Sequence, residues 1–355
     1  MSGAPTSQIA ASIVQAVGLI NQGQWGLAER VLGQVLGVAP REPDGLQLMG
    51  VVRAAQGRNG EAEALYRRSL AAKPKQPHVQ VNLGKLLVGM GRPQDGIAML
   101  RAVARANPAY VDALLVLGQA QQAAGDLAFA EKNLRAALKL EPGHASAILS
   151  LGALLNDASR PAEGEAVLRP ALALDLPADL RAAIEQNLAV ALKLQNRHGE
   201  ALALFDAALR HAPGLPLADA NRANTLQHLG RQEEAVAGYR KALAKDPLHL
   251  SAHQELNALL YRMGRDEDFL KSFDDAAVRA PEAALLWLGK GGFLNRTERF
   301  AEARDCFARA ARAAPDNPEA QNGWRWRWPG WENWTPRWRP TRPRSGCAPA
   351  TCRRG

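Results

Sequence analysis

Few stretches of this chain set reactive side chains at a spacing that chemistry needs. His249 and His253 stand four apart, which would put two imidazoles on one helix face, but no third ligand or carboxylate base accompanies them. They read as the solvated start of a structural element. The run LGKGG at 288–292 holds Lys290 between glycines but lacks the spacing and the hydroxyl residue that cradle phosphate and magnesium. Cys347 and Cys352 have no nearby histidine and no second cysteine pair, so a metal site is not expected there. Cys306, beside Phe307, has no basic pattern around it that would make a reactive thiolate. No catalytic residue, metal or cofactor is expected, and the chain reads as a non-enzyme. The chemistry that remains is hydrogen bonding by a recurrent set of amides, and their meaning depends on the elements that carry them.

Composition narrows those elements. The 355 residues are rich in alanine and leucine with 5% aromatics, as suits helices packed through small side chains. The start of the chain lacks a basic, then apolar leader, and no run approaches a membrane span, so a cytoplasmic setting is expected. The net charge of +9 is concentrated at the end: from Trp324 onward there are eight arginines against one acid, Glu332. Residues 1–323 are nearly neutral, which argues against a nucleic-acid surface on the body of the protein.

Repetition organises the body. Prolines recur 34 apart at Pro40, Pro74, Pro108 and Pro142, and again at Pro213, Pro247, Pro281 and Pro315. In that register a Gly or Ala falls at the eighth place (Ala16, Gly50, Gly84, Gly118, Gly152, Ala189, Ala223, Gly291), with Asn257 as the exception. Glycine falls at the fifteenth place in Gly23, Gly57, Gly91, Gly125, Gly230 and Gly264, and Asn196 takes it in another copy. A small residue marks the twentieth place and a large one, from Leu32 to Phe307, the twenty-fourth. The pattern describes two helices of about a dozen residues each. Small side chains let the two backbones approach, Gly or Asn makes a left-handed turn, and proline stops the second helix. One such pair cannot bury its apolar face, so pairs must stack.

The copies "VNLGKLLVGMGRPQDGIAMLRAVARANP" and "ANRANTLQHLGRQEEAVAGYRKALAKDP" resemble the tetratricopeptide repeat, and the resemblance covers nearly the whole body. It implies an all-α, right-handed superhelical solenoid of about nine antiparallel helix pairs over residues 9–317, after a disordered segment 1–8. The copies start near residues 9, 43, 77, 111, 145, 182, 216, 250 and 284, and the fifth is longer, around "LALDLPADLR", where a change of superhelix pitch is expected.

In such solenoids the first helices line a concave groove. The resemblance therefore places Asn82, Lys85, Gln119, Gln122, Asn156, Gln186, Asn187, Lys193, Asn221, Asn224, Gln227, Gln254, Tyr261 and Arg262 on a peptide-binding face. Amides dominate, and amides can bond the backbone of an extended peptide without selecting its side chains. Asn82, Asn187 and Asn221 resemble part of the asparagine ladder of O-linked N-acetylglucosamine transferases, broken here by Leu48, Val116, Ser150 and Glu255. The clamp that grips chaperone C-terminal carboxylates is not assembled on adjacent repeats.

The expected function is a scaffold that binds a protein or peptide, with no nucleic acid and no membrane as partner. The alternative is the substrate-recruiting half of an enzyme. "DPLHLSAHQELNALLYRMGRDEDFLKSFDDA" resembles the last repeats of bacterial proteins that join such solenoids to a 2-oxoglutarate/iron(II) oxygenase domain, and glycosyltransferase or sulfotransferase domains are joined to similar arrays. Residues 318–355 break the pattern with six tryptophans between 324 and 338. Read one base earlier, each tryptophan codon becomes one for Leu, Met or Val, and each arginine after tryptophan becomes alanine. The hidden frame then falls in repeat register, with leucine at codon 324, alanine at 325 and glycine at 332. The tail thus reads as a frameshifted tenth repeat.

Overall fold

The computed structural model describes residues 4–265 and 268–320. The aberrant tail expected from residue 321 onward lies outside them. The chain divides between Ala242 and Leu243 into two compact units. Every regular element among the described residues is helical.

The first unit contains α1 (Ala4–Asn21), α2 (Trp25–Val38), α3 (Pro43–Ala55), α4 (Asn59–Ala72), α5 (Pro77–Gly89), α6 (Pro93–Ala106), α7 (Val111–Ala123) and α8 (Leu127–Leu140). It continues with α9 (Ala145–Asp157), α10 (Pro161–Leu168), α11 (Ala178–Leu194), α12 (His198–His211) and α13 (Ala218–His228). The division falls within α14 (Gln232–Lys245). The second unit holds α15 (Leu250–Arg262), α16 (Lys271–Arg279), α17 (Ala284–Arg296) and α18 (Phe300–Ala313).

Local chemistry explains the pairing. Gly23, Gly57, Gly91, Gly125, Gly230 and Gly264 all take φ between +66° and +85°, closing the turn from first to second helix. Asn196 (φ 61°), Ser159 (φ 59°) and Glu298 (φ 61°) adopt the same conformation at the same place. A side chain there costs about 1 kcal/mol relative to glycine. Glu298 is exposed, so Glu298→Gly is expected to stabilise the second unit by roughly 1 kcal/mol, read as a higher urea midpoint. At the other end of most second helices the residue before proline leaves the helical conformation, as at Ala39 (φ −129°) and Asn107 (φ −134°), because proline's ring disfavours that conformation in its predecessor; Arg169, before Pro170, is the exception and stays helical (φ −60°).

The pairs close over the small eighth residue. A β-carbon added at Gly118 would lie 2.8 Å from Leu134, and one at Gly152 would lie 2.4 Å from Leu168. The large twenty-fourth residue therefore lies directly over the glycine of its own pair. Leu134 also packs with Leu151 and Leu154 of the following pair, so the same side chain continues the core.

The long fifth copy has a local cause. Pro170 has no N–H to donate, and α10 ends at Leu168 in a tight 3-10 turn, Arg169–Ala173. Arg181, in the lengthened α11, donates to the freed carbonyls of Leu172 (3.1 Å) and Leu174 (2.8 Å). The core runs across this insertion unbroken, joining Leu168, Ile184, Leu188 and Phe205.

Arginine–carboxylate chains tie successive second helices together. Arg92 bonds Asp95 of its own helix (2.7 Å) and Glu63 of α4 (3.1 Å). Arg160 does the same with Glu163 (2.7 Å) and Glu131 (2.7 Å), and Arg197 with Glu200 (2.7 Å) and Glu165 (2.7 Å). The guanidinium groups of Arg160 and Arg135 hold the Glu131 carboxyl below the usual carboxylate range. These pairs are largely solvent-exposed, so each adds little to stability and serves mainly to register one repeat on the next.

In the second unit, α15 and α16 depart from the pattern. Asn257 replaces the usual small residue and is fully buried. Its Oδ1 accepts from the Leu270 N–H (2.5 Å), and its Nδ2 donates to the His253 carbonyl (2.8 Å) and Ser272 Oγ (2.8 Å). The side chain thereby caps the start of α16, which begins late at Lys271. His253 is not part of a solvated helix start. It is 1% exposed, stacks on Phe273 at 4.8 Å, and bonds Ser272 Oγ (3.0 Å) and the Pro247 carbonyl (2.9 Å). The sequence reading failed there because α16 starts late, at Lys271, and its Ser272 and Phe273 close over the histidine. His249 instead ends the loop, accepting from Ala252 N–H (3.3 Å).

Burial pushes the His253 imidazole below its ordinary value, against the raising effect of the Pro247 carbonyl. The unfolded chain then takes up this proton first. Stability is complete above the ordinary imidazole value of 6.5 and is lost as pH falls below it. Thermal melts between pH 7.5 and about 5.5 are expected to fall steeply, and His253→Gln should flatten that slope whatever its effect at neutral pH. Cys306 is buried, and burial pushes its thiol up, away from reactivity.

Candidate functional site

Within the first unit each first helix packs closely on the next: α1 with α3, α3 with α5, and so on to α13, whereas the backbones of successive second helices stand further apart and are joined by the long arginine–carboxylate pairs. The first helices thus form a continuous face. The periodicity of 3.6 places their second, fifth, sixth, ninth, twelfth and thirteenth residues close together on one side.

Side-chain hydrogen bonds cross that face from helix to helix. Gln119 on α7 donates to Ser150 Oγ on α9 (2.9 Å). Asn156 on α9 donates to the Asn187 carbonyl on α11 (2.9 Å). Lys193 on α11 donates to Asn221 Oδ1 on α13 (2.9 Å). In every case the acceptor belongs to the residue at the sixth place of the next repeat. The asparagines singled out at that place are therefore partly engaged inside the fold: Asn221 accepts from Lys193, and Asn187 donates back to the Ala183 carbonyl (2.9 Å). Asn156 is 6% exposed and acts as one of these braces.

Other members of the set are not used by the fold. Asn82, Lys85, Gln122 and Asn224 are half-buried or exposed and make no side-chain hydrogen bond among the described residues. Gln186 and Gln227 are half-buried, and their Oε1 atoms have no partner. The face therefore combines rigid bridging groups with amides whose donors and acceptors are uncommitted.

One neighbouring pair escaped the sequence reading. His198, which opens α12, stacks on His228 at the end of α13, with centroids 4.6 Å apart and rings nearly parallel. Burial, then the nearby His228 and Lys193, hold the His198 imidazole below its ordinary value, so it is neutral at neutral pH. The signal that could have found it is spacing: both histidines flank left-handed turns, after Asn196 and before Gly230.

The remaining predicted residues lie in the second unit. Gln254 is half-buried on α15, and Arg262 is exposed at its end. Tyr261 is 53% exposed, with its ring 5.6 Å from Phe269 and 6.4 Å from Phe293. Lys290, the lysine between glycines, forms an ion pair with Asp274, and Gly291 beneath Phe307 serves close packing. No group of three potential metal ligands occurs among the described residues, and none of their helices is long and apolar enough to cross a membrane.

Comparison with known proteins follows this geometry. One tetratricopeptide repeat model matches residues 13–77, 115–179, 187–249 and 258–318, and another matches 53–119. A TPR repeat-containing thioredoxin of Arabidopsis thaliana, TTL4, is 40% identical over 74 residues, which is 21% of this chain and 11% of that protein. The chain thus spans about a tenth of that relative's length. A tetratricopeptide repeat protein from Parabacteroides merdae superposes with a TM-score of 0.54 at 16% identity, over 72% of this chain and 99% of its own. The human IFIT1 dimer with PPP-AAAA superposes at 0.55 and 16% identity, over 87% of this chain and 78% of its own. At these identities the likeness extends to the fold.

Proposed function

Because this chain belongs to the tetratricopeptide repeat family, we propose that it is a non-catalytic interaction scaffold that holds an extended peptide segment of a protein partner along its first helices. The observation that carries this reading is the division of labour on that face. Gln119, Asn156 and Lys193 lock neighbouring helices together, while Asn82, Gln122, Asn224 and Gln227 keep hydrogen-bonding capacity that the fold does not consume. A rigid row of uncommitted amides matches a ligand that offers alternating N–H and C=O groups. It does not select for charge, in keeping with the near-neutral body of the chain.

The test is peptide selection against the intact protein, followed by affinity measurement on the triple variant N82A/Q122A/N224A. Selected peptides are expected to lose about tenfold or more in affinity, since each lost hydrogen bond is worth roughly 0.5–1.5 kcal/mol. Unchanged affinity in a variant that retains its helical signal and melting temperature would remove the first-helix face as the site.

A further inference from the structure

A groove of about 610 Å³ lies on the opposite side of the helix pairs, between α6 and α8 and floored by α7. Its floor is apolar, formed by Leu114 and Leu117, and its rim carries Arg101, Arg105 and Lys132 without any lining carboxylate. Phe129 stands at its edge, 59% exposed. Gln121, 2% exposed, accepts from Asn133 through Oε1 (2.6 Å) and has no bonding partner for its amide N–H groups among the described residues.

The repeat itself supplies the control. One period on, Arg135 is neutralised by Glu131 (2.8 Å) and Glu163 (3.1 Å). The residues at those two places around Arg101 are Ile97 and Phe129. Lys132 stands where five of the other eight copies have alanine (Ala64, Ala98, Ala166, Ala203 and Ala237), the rest carrying Arg30, Lys271 and Asp305. The corresponding groove between α12 and α14, about 430 Å³, is neutralised from within by Arg222–Asp206 (2.5 Å) and Lys241–Asp219 (3.0 Å). Only at α6–α8, of these two grooves, are cations left without acids over an apolar floor. Asp126, which opens α8 where most other copies carry arginine, does not line the groove.

We propose that this groove is a second docking site, for a short acidic segment of a protein partner whose apolar side chains rest on Leu114, Leu117 and Phe129 while its carboxylates meet Arg101, Arg105 and Lys132. Charge complementarity selects the acid, and the aliphatic floor selects a peptide over a phosphodiester chain. The basic patch is also confined to two adjacent copies. A nucleic acid running beyond it would pass over the paired carboxylates of Glu63, Glu131 and Glu163.

The test uses the full chain and a short fluorescein-labelled peptide alternating glutamate and leucine. Phe129→Glu restores the acid found at this place in most copies, so the variant should fold normally. It is expected to weaken binding about tenfold or more, as is Arg101→Glu. Hydrogen exchange on peptide addition should show new protection confined to 101–105, 114–121 and 129–133. Four results would overturn the proposal: no protection in those segments, equal binding of a lysine–leucine peptide, displacement of the bound peptide by single-stranded oligothymidylate at equal concentration, or loss of binding in N82A/Q122A/N224A instead of in Phe129→Glu.

Discussion

Replacing Gly96 with valine is expected to destabilise the α5–α6 pair by about 3 kcal/mol or more. A β-carbon at this position would lie 2.6 Å from the Gly84 carbonyl oxygen and 2.6 Å from Val88 Cγ2. The first of these is backbone, so relief requires the two helices to separate, and Leu100, fully buried over Gly84, would lose its contacts. Helix propensity favours the substitution by only a few tenths of a kcal/mol, since valine is itself a modest helix former. Gly60 is the control. It lies in α4 with nothing within 4 Å of an added β-carbon, and Gly60→Ala should gain roughly 0.5–1 kcal/mol. Because stacked repeats need not unfold in one step, the comparison should combine urea midpoints with hydrogen exchange of α5 and α6. Equal protection of these helices in Gly96→Val and the parent would contradict the close-packing account.

The second large effect is expected at Asn257. Asn257→Leu conserves much of the volume and removes three hydrogen bonds at once, leaving the Leu270 N–H and the Ser272 hydroxyl without their asparagine partner in a buried site. The cost is about 3 kcal/mol, the upper range for orphaned buried polar groups. The first turn of α16 should lose its exchange protection before the rest of the second unit, while the first unit keeps its own. A variant whose α16 remains as protected as in the parent would mean that Asn257 fills space and does not cap.

These two positions illustrate what could be read from sequence. The small residues at the places of Gly84 and Gly96, with the large one at the place of Leu100, carried the pair geometry directly, because close approach admits only small side chains there and the period repeats the constraint. The left-handed turn was legible where glycine or Asn196 marks it, but not at Ser159 and Glu298, where the flanking helices impose a conformation the residue disfavours. Asn257 was visible as an exception and not as a cap, since its partners Leu270 and Ser272 come together only after α16 shifts. The same shift buried His253. On the candidate face, the amide-bearing positions followed from periodicity. Which amides brace the helices and which stay uncommitted depends on distances between successive first helices, as at Lys193 and Asn221, and no single copy encodes those. Arg101 is a further case: its charge is plain in the sequence, whereas its lack of a counter-ion emerges only when Arg135 is seen between Glu131 and Glu163.

The left-handed turn also bears on descent. The nine turns between first and second helices among the described residues keep one backbone conformation, although glycine has given way to Ser159, Asn196 and Glu298 in three of them. A glycine codon reaches serine or glutamate by a single base change. If the copies arose by duplication of a glycine-bearing ancestor, those three positions are where the letter drifted while its shape was inherited. The backbone angle is then the older record, and it fixes the register of the copies where their residues no longer do.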